Sequence, residues 1–262
     1  MALAESLPSG MPKFQNRMGW AKTYLSKAGL LETVSRGSYR ITKRGSDVLA
    51  SAPLSIDNHY LWQFEEFKVF KARSGRKEGG GDASLAREEI ATPEELLEAG
   101  YKQLRGTLAA DLLQQVKNGS PAFFERLVVE LLVSMGYGGT REDAGQVLGK
   151  SGDGGIDGII NEDRLGLDVI YLQAKKWEGD VGRPEIQKFV GALAGHKANK
   201  GVFLTTSGYS KEARAYASQV NSKIVLIDGQ MLADLMIDYG LGVATVTSYE
   251  IKRVDSDYFV DN

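Results

Sequence analysis

Between Ser151 and Trp177 the chain reads SGDGGIDGIINEDRLGLDVIYLQAKKW, and this stretch constrains the fold more than any other. Its ends read as two strands, Ile156–Ile160 and Val169–Trp177, joined by a polar turn around Asn161–Gly166. Side chains alternate across a strand, so Gln173 and Lys175 share one face while Leu172 and Ala174 share the other. If the two strands pair as a hairpin, Asp157 lies beside the Gln-x-Lys pair. An acid, an amide oxygen and an ammonium at one spot suit a hard divalent cation and a phosphodiester. Taken singly, each residue has an ordinary reading: an Asp among glycines is commonly a turn residue, and Gln-x-Lys commonly a solvated face. The setting favours use, because Val169, Ile170 and Leu172 mark the second strand as buried. Polar groups at the end of such a strand cost free energy unless paired or employed.

Composition narrows the chemistry. The 262 residues include no cysteine and only two histidines, His59 and His196. Disulfides, thiolate metal sites and histidine-rich metal sites are therefore excluded, and a reducing, cytoplasmic location is expected. A catalytic metal must then rely on oxygen ligands, which points to Mg²⁺, with Mn²⁺ as the alternative. No apolar run is long enough for a membrane span, and a signal-peptide pattern is missing from the N-terminus. The net charge of −2 is unevenly distributed: residues 1–50 hold eight Lys and Arg against three acids, a net of +5, leaving −7 for the remainder. A basic head on an acidic body suggests a polyanion-binding module.

The order of elements supports that division. Residues 14–28 read as a helix stopped by Gly29. Leu30–Val34 and Ser38–Thr42 read as a hairpin turning at Arg36-Gly37, and Lys43–Ala50 as another helix. Helix, basic-tipped hairpin, helix is the order of a winged helix, although any small α+β fragment with a basic surface shares it. The candidate DNA contacts are Arg17, Lys22, Lys27, Arg36, Arg40, Lys43 and Arg44. Trp62, Phe64, Phe67 and Phe70 read as packing for this module, giving a domain over 1–72. Residues 73–91, with their triple glycine, read as a linker. A second domain is expected over 92–262. Thr92, Pro93 and Glu95 form a capping box that opens a helix running to about Lys117, with Leu96, Leu97, Tyr101, Leu104, Leu108, Leu112 and Leu113 as its apolar stripe. Ser120-Pro121 opens the next helix, which buries Phe124, Leu127, Val128, Leu131, Leu132 and Met135. Glu125 reads as a first-turn acid favoured by the helix dipole, and Glu130, well round the helix, as solvated. After the central hairpin come a helix at 182–196, a strand at Gly201–Thr206, a helix from Ser210 to Val220, a strand at Lys223–Asp228 and a helix at Met231–Tyr239. With a short first strand at Gly139–Val147 and an edge strand at Val243–Val254, this makes a mixed α/β sheet with helices on both faces.

The runs FFERLVVELLVSMGY, KSGDGGIDGII, YLQAKKW, EIQKFVGAL and KGVFLTTSGYS, in that order, closely resemble the catalytic domain of Mrr-type restriction endonucleases, within the PD-(D/E)xK nuclease superfamily. The stretches GWAKTYLSKAGLLE and RGSYRITKRG resemble the latter part of the Mrr winged-helix domain. Only thirteen residues precede Phe14, so the module is expected to be N-terminally short. The resemblance implies a restriction-endonuclease-like mixed sheet behind a partial winged helix. It also implies that Asp157, Gln173 and Lys175 are the nuclease motif, joined by Glu125, with Asp157, Gln173 and Glu125 holding Mg²⁺. The implied activity is hydrolysis of double-stranded, methylated foreign DNA, by a homo-oligomer (dimer or tetramer) because one site per chain cuts one strand. Two alternatives stay open: a DNA-binding regulator with a nuclease-like scaffold, and a structure-specific junction nuclease. A P-loop is excluded, since no G-x-x-x-x-G-K-[ST] occurs.

Overall fold

The computed structural model describes residues 5–7, 10–35, 37–73, 91–138, 156–163 and 167–252. The expected strand at Gly139–Val147, the glycines of Ser151–Gly155, most of the expected linker and Arg36 lie outside the described residues. The chain divides into two compact units, Met1–Arg105 and Gly106–Asn262.

In the first unit, helix α1 (Lys13–Lys27) is followed by an antiparallel hairpin, β1 (Leu31–Ser35) and β2 (Ser38–Ile41), and then by α2 (Lys43–Ala50), α3 (Asn58–Leu61) and α4 (Glu65–Arg73). Gly29, at φ +71°, supplies the left-handed residue that ends α1. Thr42 joins the hairpin to α2: its hydroxyl accepts from the Gly45 N–H at 3.0 Å and donates to the Gly29 carbonyl at 2.7 Å. Gly45 must be glycine there, since a Cβ would lie 2.3 Å from the Leu30 carbonyl oxygen. Ala28, Leu30, Val48, Leu61 and Phe67 form the core, with Tyr24, Phe64 and Phe70 packed around it. The aromatic residues of 60–70 thus pack the unit, as expected.

Helix α5 (Pro93–Asn118) begins with the expected capping box, Thr92 and Glu95 exchanging bonds at 3.0 and 3.3 Å. Its first half, to Arg105, belongs to the first unit, where Glu94 accepts from the Trp20 indole N–H at 2.6 Å. The expected stripe is only partly buried. Leu112 is inside with Ala109 and Val116, whereas Leu97, Tyr101, Leu104 and Leu108 are exposed. Only the last three turns reach a sheet core, so the apolar periodicity overstated how much of the helix is covered.

The second unit is a four-stranded sheet in the order β3 (Gly158–Asn161), β4 (Val169–Lys175), β5 (Lys200–Thr205), β6 (Lys223–Ile227). β3 pairs antiparallel with β4, and the remaining pairs are parallel. The parallel connections run through α7 (Arg183–Gly195) and α8 (Lys211–Gln219), while α6 (Pro121–Ser134) precedes the sheet and α9 (Gly229–Asp238) follows it. Ile160, Ile170, Leu172, Val202 and Leu204 form one core with residues of α5, α6 and α9, among them Leu112, Phe124, Leu131 and Leu232. Phe203 forms the other with Ile186, Phe189 and Leu193 of α7 and Ala213 of α8. Each fully buried side chain of this size contributes about 1.5–3 kcal/mol, so the sheet is secured from both faces. The expected strand at Val243–Val254 is not formed: residues 243–252 belong to no strand, and Val246, Tyr249 and Ile251 are exposed. The alternation there was local and found no sheet edge to join. Among the described residues no helix is long and apolar enough to cross a membrane.

Candidate active site

The site hairpin is fixed at both ends. In the β3–β4 ladder Gly158 faces Leu172, and one step outward Asp157 comes opposite Gln173. The Asp157 N–H donates to the Leu172 carbonyl at 2.8 Å, and its Oδ2 accepts from the Ala174 N–H at 2.7 Å. The carboxylate thereby takes the place of a ladder carbonyl where the β3 main chain ends. At the turn end, Lys200 bridges Glu162, just after β3, and Asp168, just before β4. The hydrogen bonds that the Lys200 ammonium donates to Asp168 and Glu162 hold it well above the ordinary lysine range. These ties oppose a register slip, which would turn Gln173 and Lys175 into the wrong core.

Ile170, Leu172 and Ala174 pack towards α5 and α6, so Tyr171, Gln173 and Lys175 lie on the opposite face. Gln173 is only 4% exposed. Among the described residues neither its amide nor the Lys175 ammonium has a hydrogen-bond partner. Asp157 and Lys175 are half-buried, which leaves them reachable from solvent.

Glu125 is placed differently. Because α6 starts at Pro121, Glu125 is its fifth residue, in the second turn, and not the first-turn acid expected from sequence. It is half-buried and lacks a polar partner among the described residues, on the helix that covers the Leu172 face. Glu130 is exposed, as expected. Among the described residues no three His, Cys, Asp or Glu side chains gather. Asp157 and the Gln173 amide oxygen are hard oxygen donors of the kind Mg²⁺ and Mn²⁺ take, and they fit such an ion. Among the described residues no contact joins Glu125 to them, its helix packing on the Leu172 face.

Three residues that shape the strand end had no role in the sequence reading. The buried Thr205 hydroxyl donates to the Lys175 carbonyl at 2.9 Å, and the buried Thr206 hydroxyl to the Trp177 carbonyl at 2.8 Å. Lys176 donates from its ammonium to the Gly119 carbonyl, just ahead of the Ser120 cap of α6. The only sequence signal was a pair of threonines ending an apolar strand, and it does not say which strand lies alongside.

The basic residues of the first unit are largely engaged. Arg17 pairs with Glu95 at 2.8 Å, Arg40 with Glu32 at 3.5 Å, and Arg44 with Glu66 at 3.0 Å and the Ala28 carbonyl. Lys22 lies over the Tyr39 ring and Lys27 over Phe70. Lys43, the first residue of α2, is exposed and has no ion pair among the described residues. Arg36 lies outside them.

Comparison with known proteins adds context. A family model described as "Restriction endonuclease" matches residues 116–236, and one described as "Mrr N-terminal domain" matches residues 1–51. The chain is 41% identical over 263 aligned positions to the type IV methyl-directed restriction enzyme EcoKMrr of Escherichia coli (strain K12), covering 98% of this chain and 85% of that one. Among solved structures it is similar to the MspJI restriction endonuclease in complex with a 27-mer oligonucleotide (25% identity, TM-score 0.39), over 50% of this chain and 31% of that one. It is also similar to the DNA modification-dependent restriction endonuclease AspBHI (20% identity, TM-score 0.41), over 63% of this chain and 40% of that one. The chain thus spans less than half the length of either of these two structures.

Proposed function

Since this chain belongs to the Mrr family of restriction endonucleases, we propose that it cuts methylated double-stranded DNA by divalent-metal-dependent hydrolysis at Asp157, Gln173, Lys175 and Glu125. The observation that carries the assignment is the hairpin register, which sets Asp157 opposite Gln173 with Lys175 two residues along the same face. Asp157 is held by the Ala174 N–H through one oxygen, leaving the other for a cation. Gln173 contributes a neutral oxygen, so the site carries less negative charge than one built from three acids. Bound there, Mg²⁺ or Mn²⁺ supplies the positive charge that polarises a phosphoryl oxygen and makes water more acidic. Lys175 orients the attacking water or stabilises the charge that builds on the phosphorane oxygens. Its backbone is fixed by Thr205, which limits how far the ammonium can wander. The first unit supplies phosphate contacts, with Lys43 and Arg36 as candidates. Cutting both strands requires two sites, hence a dimer or tetramer arranged about a two-fold axis.

The test is incubation of the purified full chain and Mg²⁺ with plasmids that differ only in adenine and cytosine methylation. Cleavage of a methylated plasmid alone supports the reading. Equal cutting of the unmethylated plasmid removes the modification dependence. Binding without cutting favours a regulator, and cutting confined to branched DNA favours a junction nuclease.

A further inference from the structure

We propose that Lys176 is a positioning residue that ties the helix of Glu125 to the hairpin of Asp157 and Gln173; the inference rests on the metal-dependent reading of the site above. Strand alternation sends neighbouring side chains to opposite faces. Lys175 therefore lies on the Gln173 face, and Lys176 is directed to the face covered by α6. There its ammonium donates to the carbonyl of Gly119. Gly119 sits between the last residue of α5 and the Ser120 cap of α6, and its own N–H bonds back to Gln115 and Val116. A Cβ on Gly119 would lie 2.5 Å from the Phe123 ring, so the ring presses on the same peptide. The carbonyl that Lys176 holds is consequently fixed relative to the start of α6.

What the tie adds is axial position. Phe124, Leu127 and Val128 hold α6 against Leu172 and its neighbours, but apolar contact is non-directional and tolerates sliding along the sheet. A charge-assisted bond at one end of the helix sets where along β4 each turn falls. Glu125, one turn in and without a partner among the described residues, is the group whose placement depends on it. Small displacements of a ligand or reacting group have large functional cost. Loss of a purely stabilising bond would lower the melting temperature and leave metal binding by the folded protein unchanged.

The experiment uses the full chain and Mn²⁺ alone, with free Mn²⁺ read by electron paramagnetic resonance and folding checked by circular dichroism. Lys176→Met should weaken Mn²⁺ binding on the order of tenfold, as loss of an outer-shell partner does, and Glu125→Gln by a similar factor. The double variant should bind no more weakly than Glu125→Gln alone, and Lys176→Arg should bind nearly as wild type. If Lys176→Met fails to fold, Lys176→Gln, which keeps a donor, takes its place. A folded variant within about twofold of wild type, or a double variant whose losses simply multiply, overturns the proposal. A wild-type chain that binds no Mn²⁺ at millimolar concentration defeats the site reading and this inference with it. One that binds while the Lys176 variants are unaffected defeats the inference alone.

Discussion

Asp157 has two tasks, and a pair of substitutions separates them. One task is structural: its carboxylate accepts the Ala174 N–H at 2.7 Å, continuing the β3–β4 ladder past the end of β3. A hydrogen bond from a peptide N–H to an ionised acceptor contributes about 1.5–3 kcal/mol. For this half-buried position about 2 kcal/mol is the appropriate figure. Asp157→Ala leaves the Ala174 N–H unpaired and loses all of it, whereas Asp157→Asn keeps an amide oxygen in place and loses about 1 kcal/mol. For a unit of this size each kcal/mol corresponds to about 2–4 °C, so the Ala variant melts about 4–8 °C below wild type and the Asn variant about 2–4 °C below. The other task is chemical: the remaining carboxylate oxygen and the negative charge serve the cation. Both variants lose that charge, so both fail to cut DNA, although Asp157→Asn is folded at the assay temperature. Thermal unfolding followed by circular dichroism, alongside cleavage of a susceptible plasmid, reads both tasks. The reasoning is refuted if Asp157→Asn cuts within about tenfold of wild type, a difference of only about 1.4 kcal/mol in the barrier. It is equally refuted if Asp157→Ala melts with wild type.

Lys175→Ala is expected to abolish cleavage while unfolding and DNA binding change little, because its ammonium has no internal partner among the described residues; a variant that cuts at the wild-type rate removes Lys175 from the reaction. EDTA should stop cleavage and millimolar Mg²⁺ or Mn²⁺ restore it, with the melting temperature hardly moved, and Gln173→Glu should tighten metal binding even if turnover falls. Cleavage that persists in EDTA would sink the metal site. Asp228, the N-cap of α9, is pushed up by partial burial, but the Met231 N–H and Arg214 outweigh this and hold its carboxyl below the usual 3.8. A depressed folded pKa gives stability that is present above the unfolded value of about 3.9 and is lost as pH falls through the folded one. Asp228→Asn should therefore be less stable than wild type at pH 7 by about 1 kcal/mol, with the gap closing towards pH 2 in denaturant titrations.

The fold was readable where the signals are local. Helix α2 falls where its pattern placed it, and α5 and α6 start at their capping residues, Thr92 and Ser120, because caps and turns act within a few residues. The apolar run of β5 and the strand–helix alternation around it were enough to give parallel crossovers, both of which pack on the Phe203 face of the sheet. Two readings depended on partners that a local pattern does not reveal. The Val243–Val254 alternation looked like a strand, but a strand needs a neighbour. The stripe on α5 looked like one buried face, yet Leu97, Tyr101 and Leu104 are exposed. Glu125 is a different case: the helix opens at Pro121 as its cap indicated, and counting from there puts Glu125 fifth, in the second turn and not the first.

The strand end Lys175-Lys176-Trp177 shows why part of the candidate site could be read and part could not. That Lys175 shares a face with Gln173 follows from the two-residue period of a strand, which holds whatever the strand pairs with. That Asp157 meets Gln173 requires one more fact, the antiparallel register, and the short connection from β3 to β4 makes a hairpin the natural pairing. The task of Lys176 needs a contact across 57 positions to Gly119, and the support of Lys175 and Trp177 needs contacts across 30 and 29 positions to Thr205 and Thr206. No periodicity encodes those separations. In sequence two adjacent lysines are chemically equivalent; the pleat gives one of them a site and the other a helix to hold. A substitution at either would then look alike in a cleavage assay. Only metal affinity, melting temperature and rescue by arginine tell a group that meets the phosphate from one that keeps a neighbouring helix in register.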